Sequence, residues 1–394
     1  MPSFSSSRCA LFTALGRVLL PSLGVTLLLA CTGGGPDEDS ALADEFGPTS
    51  GSNPSAVASP LAPTDVFRMD SLAEGVWVAE VRERPEAYAF ANSLVVAGDS
   101  ALLVVDTQQS PAAARALIAW IRNHTDLPVR WVVNTHFHGD HVNGNGAYRD
   151  AWPEVRFVAH ASVPEAIRTE GRARMEEELA TLPEALDRRQ AWLDGEPMPE
   201  GQEMTPELRQ RLEYSVRVGR AYLDELRELE VVEPAILLTE PRTLDLGART
   251  VEVIPAGPAH TEGDLVVWVP EVGVAGVGDL LEEAAPWIEG ADLQGWAASL
   301  DRIRALAPLQ VVASHGSAAR GAELLAGEAP LFAALVEAAA LEVRDVRDVP
   351  DARLESEGWP TDEAVARVAA ALTPHGPFLA SVGLEGEAFT AWTT

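Results

Sequence analysis

The sequence predicts an α/β protein in which β-sheets form inner layers and helices cover them. Short apolar runs typical of buried strands occur on both sides of segments with helical periodicity. The 394 residues, 47% of them hydrophobic, are enough for one large domain or two modest ones with a real core. A stretch rich in Glu, Arg, Ala and Leu, about residues 162–232, interrupts the strands and predicts an added helical lobe.

The amino terminus has the pattern of an export signal. Arg8 and Arg17 precede or flank an apolar run over 18–30 that is too short to span a membrane comfortably. Residues 1–30 are therefore predicted to be a signal peptide. The run ends Leu-Leu-Ala-Cys31 before a glycine-rich stretch, which resembles a bacterial lipoprotein cleavage box with Cys31 as the lipidated residue. Plain secretion and an uncleaved anchor are the alternatives, and all three place the body in the periplasm or at the cell surface.

Residues 31–63 predict a flexible linker, because their Gly, Ser, Pro, Asp and Ala content cannot bury enough surface to fold. The two cysteines of the chain are Cys9 and Cys31, which both precede the folded body. The body is thus expected to contain no disulfide, and a metal site in it would use nitrogen and oxygen ligands.

The charge of the chain limits its partners. The formal net charge is −31, and every basic side chain apart from histidine is arginine, since the sequence contains no lysine. Such a field repels phosphate backbones, so we expect no nucleic-acid partner. We expect a small-molecule substrate, and membrane contact through the lipid anchor alone. The oligomeric state is left open.

The first half of the body predicts a series of strands around one helix. Pro111 suits the first turn of the helix, and a Gly-Asp turn joins the second and third strands. The predicted strands are 75–81, 91–96, 101–106, 129–133 and 156–160, and the predicted helix is 111–124.

The second half begins with the helical lobe. Ser162 and Glu165 have the spacing of a capping box, and Thr205-Pro206 predicts a second helix start. The elements predicted after the lobe are strands 250–254, 265–269, 272–277 and 310–313, and helices 291–306, 324–343 and 361–372. We therefore divide the body into a domain over 64–325, containing the lobe, and a helical carboxy-terminal extension over 326–394.

A dense cluster of possible metal ligands follows the predicted strand 129–133. His136, His138, Asp140 and His141 place three imidazoles and one carboxylate within six residues. Histidine is a common ligand of borderline metals, and carboxylates complete such shells. Alternation puts His136 and His138 on one side of an extended segment, and a glycine then lets the chain turn toward a second position.

Three further candidates follow other predicted strands. His260, Asp279 and His315 each lie beside glycine or a small residue, just after an apolar run. One such histidine alone would more often be structural, but their joint placement favours a shared metal site at the carboxyl ends of the strands. We expect the remaining histidines, His124, His160 and His375, to be structural.

The pattern His-X-His-X-Asp-His, followed by separated His, Asp and His, resembles the metallo-β-lactamase superfamily over about residues 70–320. The resemblance implies an αββα sandwich, in which two mixed sheets pack face to face with helices outside, here carrying a helical insertion. It also implies two metal ions: His136, His138 and His260 would hold the first, Asp140, His141 and His315 the second, and Asp279 would bridge them. Asp106 and Thr135 would support these ligands from behind.

The implied chemistry is hydrolysis. Two divalent ions can share a water and deprotonate it near neutral pH, so that it attacks an electrophilic carbon or phosphorus. Asp140 would be the catalytic residue that accepts and returns a proton. Nitrogen and oxygen ligands suit zinc, with iron or manganese as alternatives. An iron oxygenase on the same fold would need fewer ligands than this sequence offers.

Departures from the family pattern restrict the classes of substrate that we expect. The best-known zinc β-lactamases carry cysteine where Asp279 stands, and a lysine three residues later that binds the drug's carboxylate. Here Glu282 and Glu283 follow instead. We therefore expect an ester, lactone, thioester or amide substrate. The alternatives are a true β-lactamase and, in another class, a non-catalytic metal-binding lipoprotein. The lobe over 162–232 could be a lid over the metals or a packing element.

Overall fold

A computed structural model describes residues 61–199, 202–283, 286–288, 290–346 and 362–381. The predicted signal peptide 1–30, the lipidation site Cys31 and nearly all of the predicted linker lie outside the described residues. The domain limits drawn from the sequence therefore stay predictions.

The first sheet has seven strands in chain order. Neighbouring strands are antiparallel as far as the fourth strand and parallel from the fourth to the seventh. The strands are β1 Phe67–Ala73, β2 Val76–Val81, β3 Ser93–Ala97, β4 Leu102–Val105, β5 Val129–Val133, β6 Arg156–His160 and β7 Ile236–Leu238.

The second sheet has five strands in the order β12-β11-β10-β9-β8. All neighbours are antiparallel except β11 and β12, which are parallel. It follows that β9, β11 and β12 run in one direction and end at one edge of the sheet. The strands are β8 Arg242–Asp245, β9 Thr250–Pro255, β10 Leu265–Val269, β11 Val274–Gly276 and β12 Gln310–Val312.

The two sheets pack face to face through a core of aliphatic side chains. Val78, Leu103 and Val133 from the first sheet share one buried cluster with Val253 and Val267 from the second. Helices cover both outer faces, because a second buried cluster joins the first sheet to the helix Pro111–His124 and a third lies under the helices that follow β11. The predicted αββα sandwich is confirmed.

The helices on and between the strands vary greatly in length. The helix α1, Pro111–His124, begins as predicted, with Ser110 accepting a hydrogen bond from the Ala113 amide. The others are α2 Gly139–Val142, α3 Asn145–Ala151, α4 Val163–Ala166, α5 Arg172–Leu193, α6 Pro206–Glu228, α7 Leu293–Ala305, α8 Gly321–Val346, α9 Asp362–Ala371 and α10 Gly376–Ser381.

The helical insertion lies between β6 and β7. It consists of α4, a π-helical turn over Ile167–Gly171, and the hairpin of α5 and α6. The predicted helix start at Thr205 is confirmed, since its hydroxyl accepts a hydrogen bond from the Leu208 amide. The predicted capping box at Ser162 is wrong: its hydroxyl lies 2.8 Å from Nδ1 of His160 and caps no helical amide, and the Glu165 carboxylate pairs with Arg168.

Helix α8 crosses the boundary that the sequence suggested at 325. Its Leu324 and Phe332 are buried in the same cluster as Trp296 and Leu300 of α7, so it is part of the outer layer of the sandwich. Among the described residues, one segment, Ala318–Glu342, is long and apolar enough to cross a membrane by length and composition. Half of the most apolar stretch of this segment is buried inside the protein, which is typical of a core helix.

Three strands and three short helices have no counterpart among the elements predicted from the sequence. The strands β1, β7 and β8 are missing from them, and so are α2, α3 and α10. The strand β1 carries Arg68 and Asp70 and pairs along one side only, so no run of apolar residues marks it. The helix α2 contains Asp140 and His141, whose residue types indicate a site rather than a helix.

The packing of α8 predicts a large cost for truncating its buried aromatic residue. Phe332 is fully buried, with its ring 4.6 Å from that of Trp296. We expect Phe332→Ala to lower the free energy of unfolding by about 3–5 kcal/mol in urea titration. Leu341→Ala on the same helix is the control: this side chain is 54% exposed, and its loss should cost less than about 0.5 kcal/mol. Equal effects would show that α8 does not belong to the core.

Candidate metal centre

The seven side chains proposed from the sequence converge at one edge of the sandwich. His136, His138, Asp140 and His141 follow β5, while His260, Asp279 and His315 follow β9, β11 and β12. The last three strands run the same way, so their carboxyl ends meet. The backbone amide of Leu265, at the start of β10, donates to the carbonyl of Thr135 at 2.9 Å and joins the two sheets at this edge.

Four donor atoms form a first set, from His136, His138, His260 and Asp279. Nε2 of His136 lies 3.0 Å from Nδ1 of His138, which lies 3.1 Å from Nε2 of His260. Oδ2 of Asp279 lies 3.4 Å from His136 and 3.6 Å from His260.

A second set comes from Asp140, His141, His315 and again Asp279. Oδ2 of Asp140 lies 3.4 Å from Nε2 of His141 and 3.3 Å from Nε2 of His315. Asp279 reaches the same two rings, with Oδ1 at 3.2 Å from His141 and Oδ2 at 3.4 Å from His315. The carboxylate of Asp279 therefore lies between the two sets.

These spacings fit a pair of metal ions. A tetrahedral ion bound at 2.0–2.1 Å separates its ligand atoms by roughly 3.3–3.4 Å, close to the distances in both sets. Nε2 of His141 and Oδ1 of Asp279 are buried without a hydrogen-bond partner. Buried polar atoms are rarely left unpaired, so these two atoms and the facing ring nitrogens of His136 and His138 indicate that a cation belongs between them.

The charge balance of the site supports the same conclusion. Burial would raise the pKa of Asp279 and Asp140, but the neighbouring histidine rings, with His141 the largest contributor, lower both pKa values well below the usual range. Burial would lower the pKa of His141 and His315, but the carboxylates, with Asp279 first, raise both well above it. The two carboxylates thus hold positive charge between them, which a metal ion would supply.

Two rings of the first set, His138 and His260, favour the neutral form. Burial, and then the proximity of His136, lowers the pKa of His138 well below its ordinary value and that of His260 to about 3. A neutral imidazole is the form that coordinates a metal through a ring nitrogen.

Asp106 supports the ligand loop, as the resemblance implied. Its carboxylate accepts hydrogen bonds from the amide and hydroxyl of Thr135 at 2.8 and 2.9 Å, and from Nδ1 of His141 at 2.9 Å. The bond to Nδ1 leaves Nε2 of His141 free to face Asp279 and Asp140. Asp106 has φ of 60°, a left-handed conformation unusual for aspartate, which these contacts hold in place.

Close packing under the ligands restricts one glycine. Gly278, next to Asp279, has φ of +60°, and a Cβ there would lie 2.8 Å from the side chain of Thr135. Only glycine meets both the conformation and the space at this position.

A second support reaches His260. Nδ1 of its ring lies 3.2 Å from the carbonyl of Trp287, which directs Nε2 toward His138. The Trp287 amide is 3.5 Å from the carboxyl of Glu282, and the Glu282 amide donates to Glu328 at 3.1 Å. Glu282 and Glu328 are both buried, and burial raises the pKa of Glu282 to about 8.

The helical insertion borders the site on one side. Phe137, between two candidate ligands, packs in a buried cluster with Val163 and Ile167. The π-helical turn that includes Ile167 joins α4 to the hairpin, and such turns often occur near functional sites. Of the aromatic residues in the hairpin, Tyr222 is fully buried, with its ring stacked on that of Tyr88 at 4.2 Å.

The three remaining histidines lie away from the two donor sets. His124 stacks on Trp120 and its Nδ1 lies 3.0 Å from the Trp120 carbonyl. His160 contacts Ser162, and His375 lies in a short turn between α9 and α10.

The comparison with known families decides the assignment. The family model described as "Metallo-beta-lactamase superfamily" matches residues 89–315, which is more than half of the chain. The chain belongs to the metallo-β-lactamase superfamily. Membership supports metal-dependent hydrolysis as the general class of activity, and the two donor sets show residues able to hold metal ions.

The individual proteins that this chain resembles have low sequence identity to it or match it over a short length. A linear primary-alkylsulfatase from Pseudomonas sp. (strain ATCC 19151) is 35% identical over 74 residues, which is 18% of this chain and 14% of that protein. The chain thus matches only about a seventh of the length of this relative.

Two solved structures are similar in shape, each with a TM-score of 0.45 and covering 68% of this chain. They are a metallo-β-lactamase from Pontibacter korlensis, 18% identical and 98% covered, and the metallo-β-lactamase FIM-1 from Pseudomonas aeruginosa in its mono-zinc form, 20% identical and 95% covered.

Sequence reasoning missed two residues that hold the ligands. Trp287 acts through its backbone carbonyl, which has no residue-type signature. Asn92 contacts the loop around His315, more than 220 residues away along the chain, and nothing local in the sequence indicates that contact.

Proposed function

We propose that this chain is an extracytoplasmic hydrolase that uses two divalent metal ions, zinc by preference, on an ester, lactone, thioester or amide. The observation that carries the proposal is the convergence of seven side chains into two donor sets that share Asp279. His136, His138 and His260 would hold one ion and Asp140, His141 and His315 the other. When bound, the ions supply Lewis acidity and lower the pKa of a bound water to near neutrality.

Asp140 is the residue proposed to handle the proton. Its side chain is 16% exposed, so water and substrate can reach it, and the neighbouring rings favour its ionised form. An ionised carboxylate can accept a proton from the attacking water and return it to the leaving group. Asp106 and Trp287 contribute by holding the rings of His141 and His260 in one orientation.

The surroundings of the site favour a substrate without a carboxylate. Glu282, at the position where the zinc β-lactamases carry their lysine, is buried and offers no positive charge. Glu283 is paired with Arg320, and Arg320 is also paired with Glu323. The position that would recognise a β-lactam drug is therefore next to a buried carboxyl group and an arginine that already pairs with two glutamates, and neither offers an unpaired positive charge to an anionic group.

A sulfate ester is a second candidate substrate. It is favoured by the 35% identity over 74 residues to an enzyme named for hydrolysing primary alkyl sulfates. A panel of substrates can therefore decide between carbon and sulfur esters.

We expect zinc-loaded protein to hydrolyse at least one member of a panel containing a neutral ester, a lactone, a thioester, an amide, a primary alkyl sulfate and a β-lactam. Asp140→Asn should reduce kcat by about 10²- to 10⁴-fold while the far-UV circular dichroism is kept, because the amide cannot accept the proton. Asp150→Asn makes the same change at an exposed position and should not alter kcat. Unchanged rates in Asp140→Asn would exclude its proton-handling role.

A protein that binds zinc and hydrolyses none of the six substrates would favour the non-catalytic metal-binding lipoprotein. Hydrolysis of the β-lactam alone would favour a true β-lactamase.

The proposed location is the periplasm or cell surface, with the protein tethered through a lipid on Cys31. The support is the apolar run ending in Leu-Leu-Ala-Cys31 and the glycine-rich stretch that follows. We expect labelled palmitate to be incorporated into the wild-type chain expressed in a bacterium, and not into Cys31→Ser. Cys9→Ser is the matched control and should remain labelled. Labelling that survives in Cys31→Ser would contradict the anchor.

A further inference from the structure

The side chain of Asn92 lies between two strands of the first sheet and the loop that carries His315. Its amide nitrogen donates to the carbonyls of Ala313 at 3.1 Å and Gly316 at 2.8 Å, on either side of His315. Its Oδ1 accepts from the backbone amide of Val81 at 3.0 Å, and the backbone amide of Asn92 donates to the Ser314 carbonyl at 2.7 Å. Asn92 is buried, and these bonds satisfy both its side-chain oxygen and its side-chain nitrogen.

The residues beside Asn92 hold the other side of the second donor set. The Ser93 hydroxyl donates to the carbonyl of Asp106 at 2.9 Å. Gln108 donates to the Ser93 hydroxyl at 2.7 Å and to the Ala91 carbonyl at 2.6 Å. Because Asp106 fixes the ring of His141, the segment 91–93 contacts the supports of both histidines in the second set.

His315 depends on such support more than His141, the other ring of the second set, does. Its side chain is 26% exposed, whereas the side chains of His136, His141 and His260 are at most 1% exposed. Packing alone therefore constrains His315 less than these three buried rings. The following residue, Gly316, has φ of +93°, so the loop turns sharply at this point and its path has to be held by hydrogen bonds.

We propose that Asn92 is a positioning residue for His315, and that its amide sets the metal affinity of the second donor set and not of the first. This inference rests on the proposed function, since it assumes that both sets bind ions. Residues that orient metal ligands typically change metal affinity by about 10- to 100-fold when they are replaced.

The chemistry of the amide makes the inference specific. Two carbonyl acceptors and one amide donor surround the side chain, so only a group with two donors and an acceptor satisfies all three. Aspartate keeps the shape and the acceptor but, when ionised, donates to neither carbonyl. Serine keeps one hydroxyl that can donate to one of them. We therefore expect a graded series, with asparagine best, serine intermediate and aspartate worst.

The test measures zinc binding in the full-length protein. Bound metal is first removed with a chelator, and zinc is then titrated back. The visible spectrum of the cobalt-substituted protein is a second readout. Wild type should bind two ions. Asn92→Asp should bind the second ion about 10- to 100-fold more weakly, with the first unchanged, and Asn92→Ser should lie between. Far-UV circular dichroism selects folded protein for the comparison.

Gln310→Glu is the matched control. The Gln310 amide also donates to a backbone carbonyl across the two sheets, that of Leu72 at 2.7 Å, but it lies at the start of β12, away from His315. It should leave both ions bound as in wild type. Equal loss in Gln310→Glu and Asn92→Asp would reduce the effect to general destabilisation and overturn the inference.

A double-variant comparison separates positioning from structure. If Asn92 acts through His315, then Asn92→Asp should have no further effect on second-ion affinity once His315→Ala is present. Additive losses would overturn the inference. If the wild type binds two ions and Asn92→Asp binds both equally well, the inference about Asn92 is overturned and the proposed function is not. Wild type that binds no ion would contradict the proposed function, and the inference with it.

Discussion

The structure depends on one constraint: several histidine ring nitrogens face one another in a buried site, beside carboxylates that more than one ring contacts. Nδ1 of His138 lies 3.0 and 3.1 Å from nitrogens of two other rings, and the Asp279 carboxylate contacts four rings. Groups buried this closely are costly unless positive charge lies between them. The sandwich brings these groups together because the donor-bearing loops follow strands that end at one edge, and a bound metal ion would supply the positive charge that this arrangement needs.

The supporting residues show how a site with loops from distant parts of the chain keeps its shape. Asp106, Thr135, Trp287 and Asn92 each contact a ligand or the backbone beside one. Three of them, Asp106, Thr135 and Asn92, are buried. The fourth, Trp287, is exposed and contributes through its backbone carbonyl. The rigidity of the site thus comes from hydrogen bonds behind the ligands, and the insertion adds apolar packing against Phe137.

Much of the fold and of the ligand set could be predicted from the sequence because their signals are local. The apolar run over Val129–Val133 and the helix with Pro111 in its first turn appear as predicted. The histidine run indicated a site through residue type and spacing alone. It was possible to predict His260, Asp279 and His315 as ligands because each follows a predicted strand.

What escaped prediction depends on contacts between distant residues. The strand β7 is three residues long and exists because it pairs with β6 across the whole insertion. The capping box at Ser162 failed because the His160 ring competes for the hydroxyl. Asn92 looked like an ordinary polar residue at the start of a strand. The sequence does not reveal which carbonyls its amide meets.

The most direct measurement of the central claim is an anomalous difference map from crystals of zinc-loaded protein, collected at the zinc absorption edge. Two peaks about 3.5–4 Å apart are expected. One should lie among His136, His138 and His260, the other among Asp140, His141 and His315, with Asp279 in contact with both. A map with a single peak, or with peaks away from these side chains, would contradict the two-ion centre.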